Sequence, residues 1–254
     1  MEATQGNQPL RIYTLGRFSL VRDGEPVRFS ARTRKPIELL KALLAAGGRE
    51  VSTAQMIDLL WPEADGDTAH NSLNVTLYRL RKLLGIHDAI LLLDNKLALN
   101  PKRCWVDAWE FERQINSIEP LLKTPDPDPA KIRGDTGILL GLCKGSFLKG
   151  EACPKASASR ERLQGKCLRV LESIGQFWEE QGDWAHAREF YLKGLELEPM
   201  LESFYQRLMV CHRELGQRAE AMMVYQRCHN ALSAHLNLTP SRHTEAIRGT
   251  LVAE

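Results

Sequence analysis

Asn71-Ser72-Leu73-Asn74-Val75-Thr76-Leu77-Tyr78-Arg79-Leu80-Arg81-Lys82-Leu83-Leu84 is the stretch from which the fold can be read. Leu73, Leu77, Leu80 and Leu84 return at helical spacing and Gly85 stops the run, so a helix is expected from about Thr68 to Leu84. At roughly 100° per residue the leucines share one face, and Asn71, Val75, Tyr78, Arg79 and Lys82 point the other way. No carboxylate lies between Thr68 and Leu84. A helix face of amides, cations and one aliphatic side chain, without acids, suits a polyanion. Arg bonds guanine in bidentate fashion, Asn does the same for adenine, and Val meets a thymine methyl, each good bidentate pair giving ~1–3 kcal/mol of discrimination. Ser72 and Asn74 belong to the same candidate surface, and Tyr78, Arg81 and Lys82 suit phosphate. The alternative is an ordinary solvated helix face.

Working outward, two shorter helices precede this one. The first starts near Arg34, carries Ile37, Leu40, Leu43 and Leu44 on one side and stops at Gly47-Gly48. The second opens at Ser52-Thr53-Ala54-Gln55, a capping-box pattern, and ends at Trp61-Pro62. Before them, Leu10 to Val21 and Pro26 to Phe29 alternate apolar and polar residues around Asp23-Gly24, a hairpin turn pair. After them, Ile90 to Leu93 and Leu97 to Leu99 flank Asp94-Asn95-Lys96 as a second hairpin. A small sheet, three helices and a hairpin make a winged helix-turn-helix. Arg32, Arg34 and Lys35 sit at the start of the first helix, where helix amides and cations together hold phosphate. Basic residues there also oppose the helix dipole, so a merely solvated start is the competing reading. Asn95 and Lys96 occupy the tip of the expected wing, where they are either backbone contacts or a plain turn.

Asn116 to Ala130 holds Pro120, Pro125, Pro127 and Pro129 with Asp126 and Asp128. Prolines at alternate positions remove helix and sheet donors, so 116–130 is expected to be a linker. Residues before Asn116 carry 16 basic and 14 acidic side chains and the remainder 18 of each, so the formal charge of +2 resides in the first half. With 43% hydrophobic and 26% charged residues over 254 positions, the chain has the material for two ordinary cores, and its near charge balance excludes a strongly basic tail, an acidic solvating segment and a mostly disordered chain. The opening Met1 to Pro9 is polar and expected to be flexible. No apolar run approaches the ~20 residues of a membrane span, so no membrane partner is expected and the cytoplasm is the default location. Cys104, Cys143, Cys153, Cys167, Cys211 and Cys228 form no C-x-x-C pair and are expected as free, mostly buried thiols.

Beyond the linker the helical signal repeats. Gly182, Ala187 and Tyr191 return as Gly216, Ala221 and Tyr225, 34 residues later, the period of a tetratricopeptide repeat. Gly175, Trp178, Ala187, Tyr191 and Pro199 occupy that motif's positions in the first copy. The second copy is degenerate, with Met209 and His212 at the first two positions and no closing proline. Two copies are too few for a free-standing solenoid, so Gly134 to Leu142 and the segment after Asn237 are expected to complete the core. The expected fold is mainly α with small β: a winged helix-turn-helix over 10–103 after a flexible 1–9, then a helical repeat domain over 104–254.

The first half, with strands ahead of its helices and Asn74-Val75-Thr76-Leu77-Tyr78-Arg79-Leu80-Arg81-Lys82-Leu83, resembles the OmpR-type winged helix of bacterial response regulators. The second resembles the bacterial transcriptional activator domain of antibiotic-pathway regulators, the SARP group. The residues carrying this likeness are Val106-Asp107-Ala108-Trp109-Glu110-Phe111, Lys144-Gly145-Ser146-Phe147-Leu148, Leu208-Met209, Ala221 with Tyr225, and Leu238-Thr239-Pro240-Ser241. The resemblance implies an activator that binds double-stranded promoter DNA at direct repeats, as a homodimer on tandem sites, and recruits RNA polymerase holoenzyme. Some relatives append a large nucleotide-hydrolysing sensor. The competing reading is a protein-interaction or effector-sensing module tethered by its winged helix.

Enzymatic signatures are weak. Gly134-Asp135-Thr136-Gly137 suggests an aspartic protease, but that chemistry needs two such aspartates, and Asp135 or Thr136 reads better as a helix cap. Lys144-Gly145-Ser146 lacks the spacing of a phosphate loop. The histidines, His229 and His235 included, are not paired for zinc. Neither a cofactor nor an enzyme is expected.

Overall fold

The computed structural model describes residues 9–125, 127–151, 153 and 156–252. Residues 1–8 of the expected flexible N-terminus and Asp126 of the expected linker lie outside them. The chain divides into two compact units. One reaches to Glu112 and takes in Ser146–Leu163; the other holds Arg113–Gly145 and Gln164 onward.

In the first unit, alternating residues build a four-stranded sheet in the order β3-β2-β1-β7. β1 (Leu10–Tyr13) runs antiparallel to β2 (Ser19–Arg22), with Ile12 opposite Leu20, and β2 pairs with β3 (Glu25–Pro26). Leu10, Ile12 and Leu20 are buried, as the period of two requires. Asp23 and Gly24 have φ of 49° and 87°, a primed turn that matches strand twist. β7 (Cys104–Val106) lies parallel to β1 on its other side, so the domain boundary expected at Cys104 falls inside this unit.

α1 (Arg34–Ala45) follows a 3-10 turn at Ala31–Thr33 and buries Ile37, Leu40, Leu43 and Leu44. The amides of Gly47 and Gly48 donate to Leu44 and Leu43 at 2.9 and 2.8 Å, satisfying its last carbonyls. β4 (Val51–Ser52) leads into α2 (Thr53–Leu60). The capping box expected at Ser52 does not form, because Ser52 pairs in register with Lys96 and its side chain caps nothing. α3 (Gly66–Leu84) starts one turn-half earlier than Thr68. β5 (Ile90–Leu93) and β6 (Lys96–Leu99) form the second hairpin, in a sheet ordered β4-β6-β5. The first unit is therefore a winged helix-turn-helix with an N-terminal sheet.

α4 (Asp107–Leu122) corrects the linker expectation, since Asn116 to Leu122 is helical with Pro120 inside. Ile115 and Ile118 are buried at helical spacing, and that burial outweighs one missing donor near the helix end. Pro129 opens α5 (Pro129–Leu142) at its first position, where the absent N–H would have been unpaired anyway. Asp128 caps that helix by accepting from the Ala130 amide at 2.9 Å. Asp135 and Thr136 are accordingly interior residues, not caps, and the buried Thr136 hydroxyl donates back to the Ile132 carbonyl at 2.7 Å.

The second unit continues with α6 (Ala156–Glu180), α7 (Trp184–Leu197), α8 (Glu202–Glu214), α9 (Arg218–Leu236) and α10 (Arg242–Val252). The boundary between units falls within α4 and α6. Gly182 and Gly216, at φ of 70° and 72°, close the matching turns before α7 and α9, and Ala187 and Ala221 are fully buried. A Cβ on Gly175 would fall 2.5 Å from the Tyr191 ring, so the glycine lets α6 and α7 touch. α10 packs on α8 and α9. The Glu202 carboxylate accepts from the Ser241 amide at 2.7 Å and the Thr244 hydroxyl at 2.5 Å, fixing the start of α10. From α5, Arg133 donates to Asp183 at 3.1 Å and lies 5.0 Å from the Trp178 ring centre. This is a helical, tetratricopeptide-like unit. All six cysteines are free thiols, five of them buried. Among the described residues no helix is long and apolar enough to cross a membrane.

Candidate nucleic-acid interface

α3 buries Ala69, Leu73, Thr76, Leu77, Leu80 and Leu84, and this stripe fixes how the helix is rotated. Asn71, Asn74, Val75, Tyr78, Arg79 and Lys82 are consequently all exposed on the remaining side, with Ser72 half-buried at its margin. Two rows of four-residue spacing run along that side: Asn71, Val75, Arg79 and Asn74, Tyr78, Lys82. Tyr78 is 67% exposed and Val75 40%, so this helix spends two apolar side chains on solvent rather than on the core. Among the described residues no acid pairs with Arg79 or Lys82. Asp67 in the first turn and Arg81 and Lys82 in the last complement the helix dipole. His70 is also exposed and extends the second row by one step. An isolated histidine gives no sequence signal for that role.

Arg81 departs from the expected phosphate contact. Its Nε and Nη2 donate to the Ile90 carbonyl at 3.2 and 2.8 Å, so the guanidinium is turned to the hairpin. Arg22 of β2 donates to the Leu84 carbonyl at 3.2 Å, at the C-terminal end of α3. A Cβ on Gly85 would overlap that guanidinium.

The start of α1 is less bare than its sequence suggests. Arg32 is exposed, but Arg34 and Lys35 each reach Glu38 at 3.0 Å. Lys35 also donates to the Leu60 carbonyl at 3.2 Å and lies 5.6 Å from the Trp61 ring centre. Partial burial pushes the Glu38 carboxyl up, yet Lys35 and Arg34 together hold it below the usual carboxylate range. The 3-10 turn carrying Arg32 packs against α3.

Asp94 and Asn95 both have positive φ, 47° and 56°, and close the wing as a two-residue turn. The Asn95 carbonyl accepts from Thr53 at 2.8 Å, tying the tip to the start of α2. Lys96 is exposed and 3.4 Å from Glu50. The unit thus brings together an acid-free helix face, a basic helix start and a polar hairpin tip. Chemically, such a set offers groups that can bond backbone phosphates and base edges in a groove.

Residues 27–92 match the family model described as transcriptional regulatory protein, C terminal, and residues 106–251 match the bacterial transcriptional activator domain. The chain is 28% identical over 235 residues to the transcriptional regulator RedD of Streptomyces coelicolor, covering 85% of this chain and 65% of that protein. Its fold is similar to that of Mycobacterium tuberculosis EmbR, solved in complex with a low-affinity phosphopeptide, at a TM-score of 0.66 and 18% identity. That match covers 96% of this chain and 65% of the EmbR chain, so the sequence spans 65% of the length of both proteins.

Proposed function

Because the chain belongs to the bacterial transcriptional activator domain family, we propose that it is a sequence-specific, DNA-binding transcriptional activator. The observation that carries this reading is the exposed, acid-free face of α3, presented by a winged helix-turn-helix whose residues match a transcriptional-regulator model. In this reading α3 enters the major groove, which is ~12 Å wide and admits one helix. Asn71, Asn74 and Arg79 bond base edges there, Val75 and Tyr78 make apolar contact, and Lys82 meets phosphate. Arg32, with Arg34 and Lys35 as partly neutralised helpers, holds the backbone at the start of α1. Asn95 and Lys96 at the wing tip touch the adjacent backbone or minor groove. The helical unit offers packed hairpin surfaces of the kind that bind protein, and on this reading it meets a second copy on a tandem repeat and RNA polymerase holoenzyme.

Selection of bound duplexes from a random pool, followed by footprinting of the full chain, tests the DNA assignment. Transcription from a selected site with purified polymerase tests activation. A protected direct repeat and stimulated transcription are expected. Absence of any protected sequence would overturn the reading in favour of a protein-interaction module.

A further inference from the structure

We propose that Arg81, which lies in the candidate recognition helix, is a positioning residue that sets the wing at a fixed offset from that helix, and that it does not contact DNA. The inference rests on the DNA-binding reading above. Its basis is geometric. The guanidinium is part-buried and gives two donors, Nε at 3.2 Å and Nη2 at 2.8 Å, to one oxygen, the carbonyl of Ile90. Ile90 is 1% exposed and is the first residue of β5, so the contact grips the wing at its root.

The two wing strands are held differently. β6 is paired on both sides, to β4 and to β5, and the turn beyond it is tied to Thr53. β5 is an edge strand, with partners on one side only. The Arg81 link joins that edge strand directly to α3. The lever is long: at ~3.4 Å per residue the tip lies roughly 13 Å from Ile90, so a 10° swing at the root moves Asn95 and Lys96 by about 2 Å. A shift of that size is enough to spoil hydrogen bonds to a backbone that α3 has already placed.

The same turn of α3 is gripped from the N-terminal sheet by Arg22 of β2, which donates to the Leu84 carbonyl at 3.2 Å and approaches the Leu83 carbonyl at 3.5 Å. Gly85, at φ 71°, has no Cβ to obstruct it. A cation at the end of a helix is favoured by the dipole whichever oxygen it meets. What distinguishes these two is that each bonds across elements, Arg22 from the N-terminal sheet to α3 and Arg81 from α3 to the wing. Together they form a continuous tie from sheet to helix to hairpin.

The test compares Arg81→Lys, Arg81→Ala and Lys82→Ala in the full chain, on a duplex selected by the wild-type protein, at several salt concentrations. Circular dichroism confirms folding at the assay temperature. If Arg81 positions the wing, both its variants weaken binding by about tenfold, since Lys cannot keep two bonds to one carbonyl, and the slope of log K against log salt shallows equally in both, by no more than the one contact that Lys96 gives up. Footprints of both variants lose protection on the wing side and keep it over α3. Lys82→Ala shallows the slope by about one unit and, in contrast, keeps the wing-side protection. Wild-type affinity for Arg81→Lys with a shallower slope for Arg81→Ala would identify a phosphate contact and overturn the proposal. Unchanged binding by both would overturn it too. Hydrogen exchange without DNA gives a second readout, in which the amides of β5 exchange faster in Arg81→Lys; unchanged exchange contradicts the tie even if Arg81→Ala fails to fold. A wild-type chain that binds no DNA would defeat the functional reading itself, an outcome separate from all of these.

Discussion

Thr14 and Asp107, 93 residues apart, are joined by three hydrogen bonds: the Thr14 amide donates to both carboxylate oxygens at 2.8 Å and its hydroxyl donates to Oδ1 at 2.6 Å. The Leu15 amide adds a fourth at 2.9 Å, and the carboxylate also accepts from the Ala108 amide at 2.8 Å as it opens α4. One buried acid therefore satisfies the backbone where β1 ends and α4 begins. Burial pushes its carboxyl above the usual range, against the hydrogen bonds that favour the charged form. Asp107→Asn should destabilise the protein by ~1–3 kcal/mol, because the amide would turn an N–H₂ group toward N–H donors. Urea unfolding at neutral pH measures it, and a change within 0.5 kcal/mol, about the scatter of surface substitutions, would show the bonds to be dispensable.

Arg79 and Leu80 are neighbours with opposite fates, one exposed and one fully buried. Arg79→Ala should leave the melting temperature unchanged and weaken binding to a selected duplex by ~1–3 kcal/mol, with relaxed preference at one base pair. Leu80→Ala should cost ~2–5 kcal/mol of stability by opening a cavity. Thermal unfolding and binding titrations on both variants separate the two effects. Loss of stability in Arg79→Ala would contradict the orientation assigned to α3.

Binding should be strongly salt-dependent although the whole chain is near neutral. The cations proposed to meet phosphate are local: Lys82 on α3, Arg32 at the 3-10 turn, Lys96 at the wing. Each phosphate contact releases counterions, at a slope of ~0.9 per contact in duplex DNA. Arg34 and Lys35 share Glu38, so their removal should change the slope less than removal of Lys82. A flat dependence of log K on log salt would remove the phosphate assignments.

The face of α3 was legible because four leucines at helical spacing determine its rotation without help from the rest of the chain. The hairpin turn at Asp23-Gly24 was legible for the same reason, since its chemistry is local, and so was the second hairpin, although Lys96, read as part of its turn, is the first residue of β6. What the sequence hid is non-local. The Arg81 bond to Ile90 looks, in one dimension, like a third cation for phosphate. β7 pairs with β1 across more than ninety residues, and no short-range pattern announces a parallel partner. Ser146–Leu163 also packs with the first unit: Phe147 bridges to Leu15, and the Leu148 amide donates to Thr14 at 2.7 Å. A cut in the proline-rich stretch would therefore strip that unit of Phe147 and Leu148, both buried.

The buried thiols predict an alkaline weakness. Burial pushes Cys104, Cys211 and Cys228 up to about 12, and the Sγ contact with Cys143 at 3.2 Å, with burial, raises Cys167 further. In the unfolded chain these thiols ionise in the ordinary thiol range, so above it the unfolded state binds fewer protons than the native one. Their contribution is complete below the unfolded value and is lost as pH rises toward the folded one. Stability measured by denaturant unfolding should fall from about pH 9 upward, by at most ~1.4 kcal/mol per pH unit for each such thiol. Cys104→Ala should flatten that limb relative to its own value at pH 7. An unaltered limb would place the alkaline loss elsewhere.

The same substitution at two helical glycines should act with opposite sign. Gly194 lies in α7, and a Cβ there would overlap the ring of Phe204, a 1% exposed side chain of α8. Tyr191, one turn earlier on α7, packs edge-on against the same ring at 5.5 Å, which restricts how Phe204 can yield. Gly194→Ala must then either separate α7 from α8 or force the ring off its rotamer, at a cost of ~1–3 kcal/mol and in the worst case more. Gly137, in the exposed middle of α5, has nothing within 4 Å of the position a Cβ would take. There Ala removes unfolded-state entropy and improves helix propensity without contact, so Gly137→Ala should stabilise by ~0.5–1 kcal/mol. Both can be read by urea unfolding of the full chain, with the double variant expected to lie near the sum because the sites share no partner. Stabilisation by Gly194→Ala would mean that α7 and α8 do not approach as closely as the Gly194–Phe204 contact requires, and with it the packing of the helical hairpins would have to be redrawn.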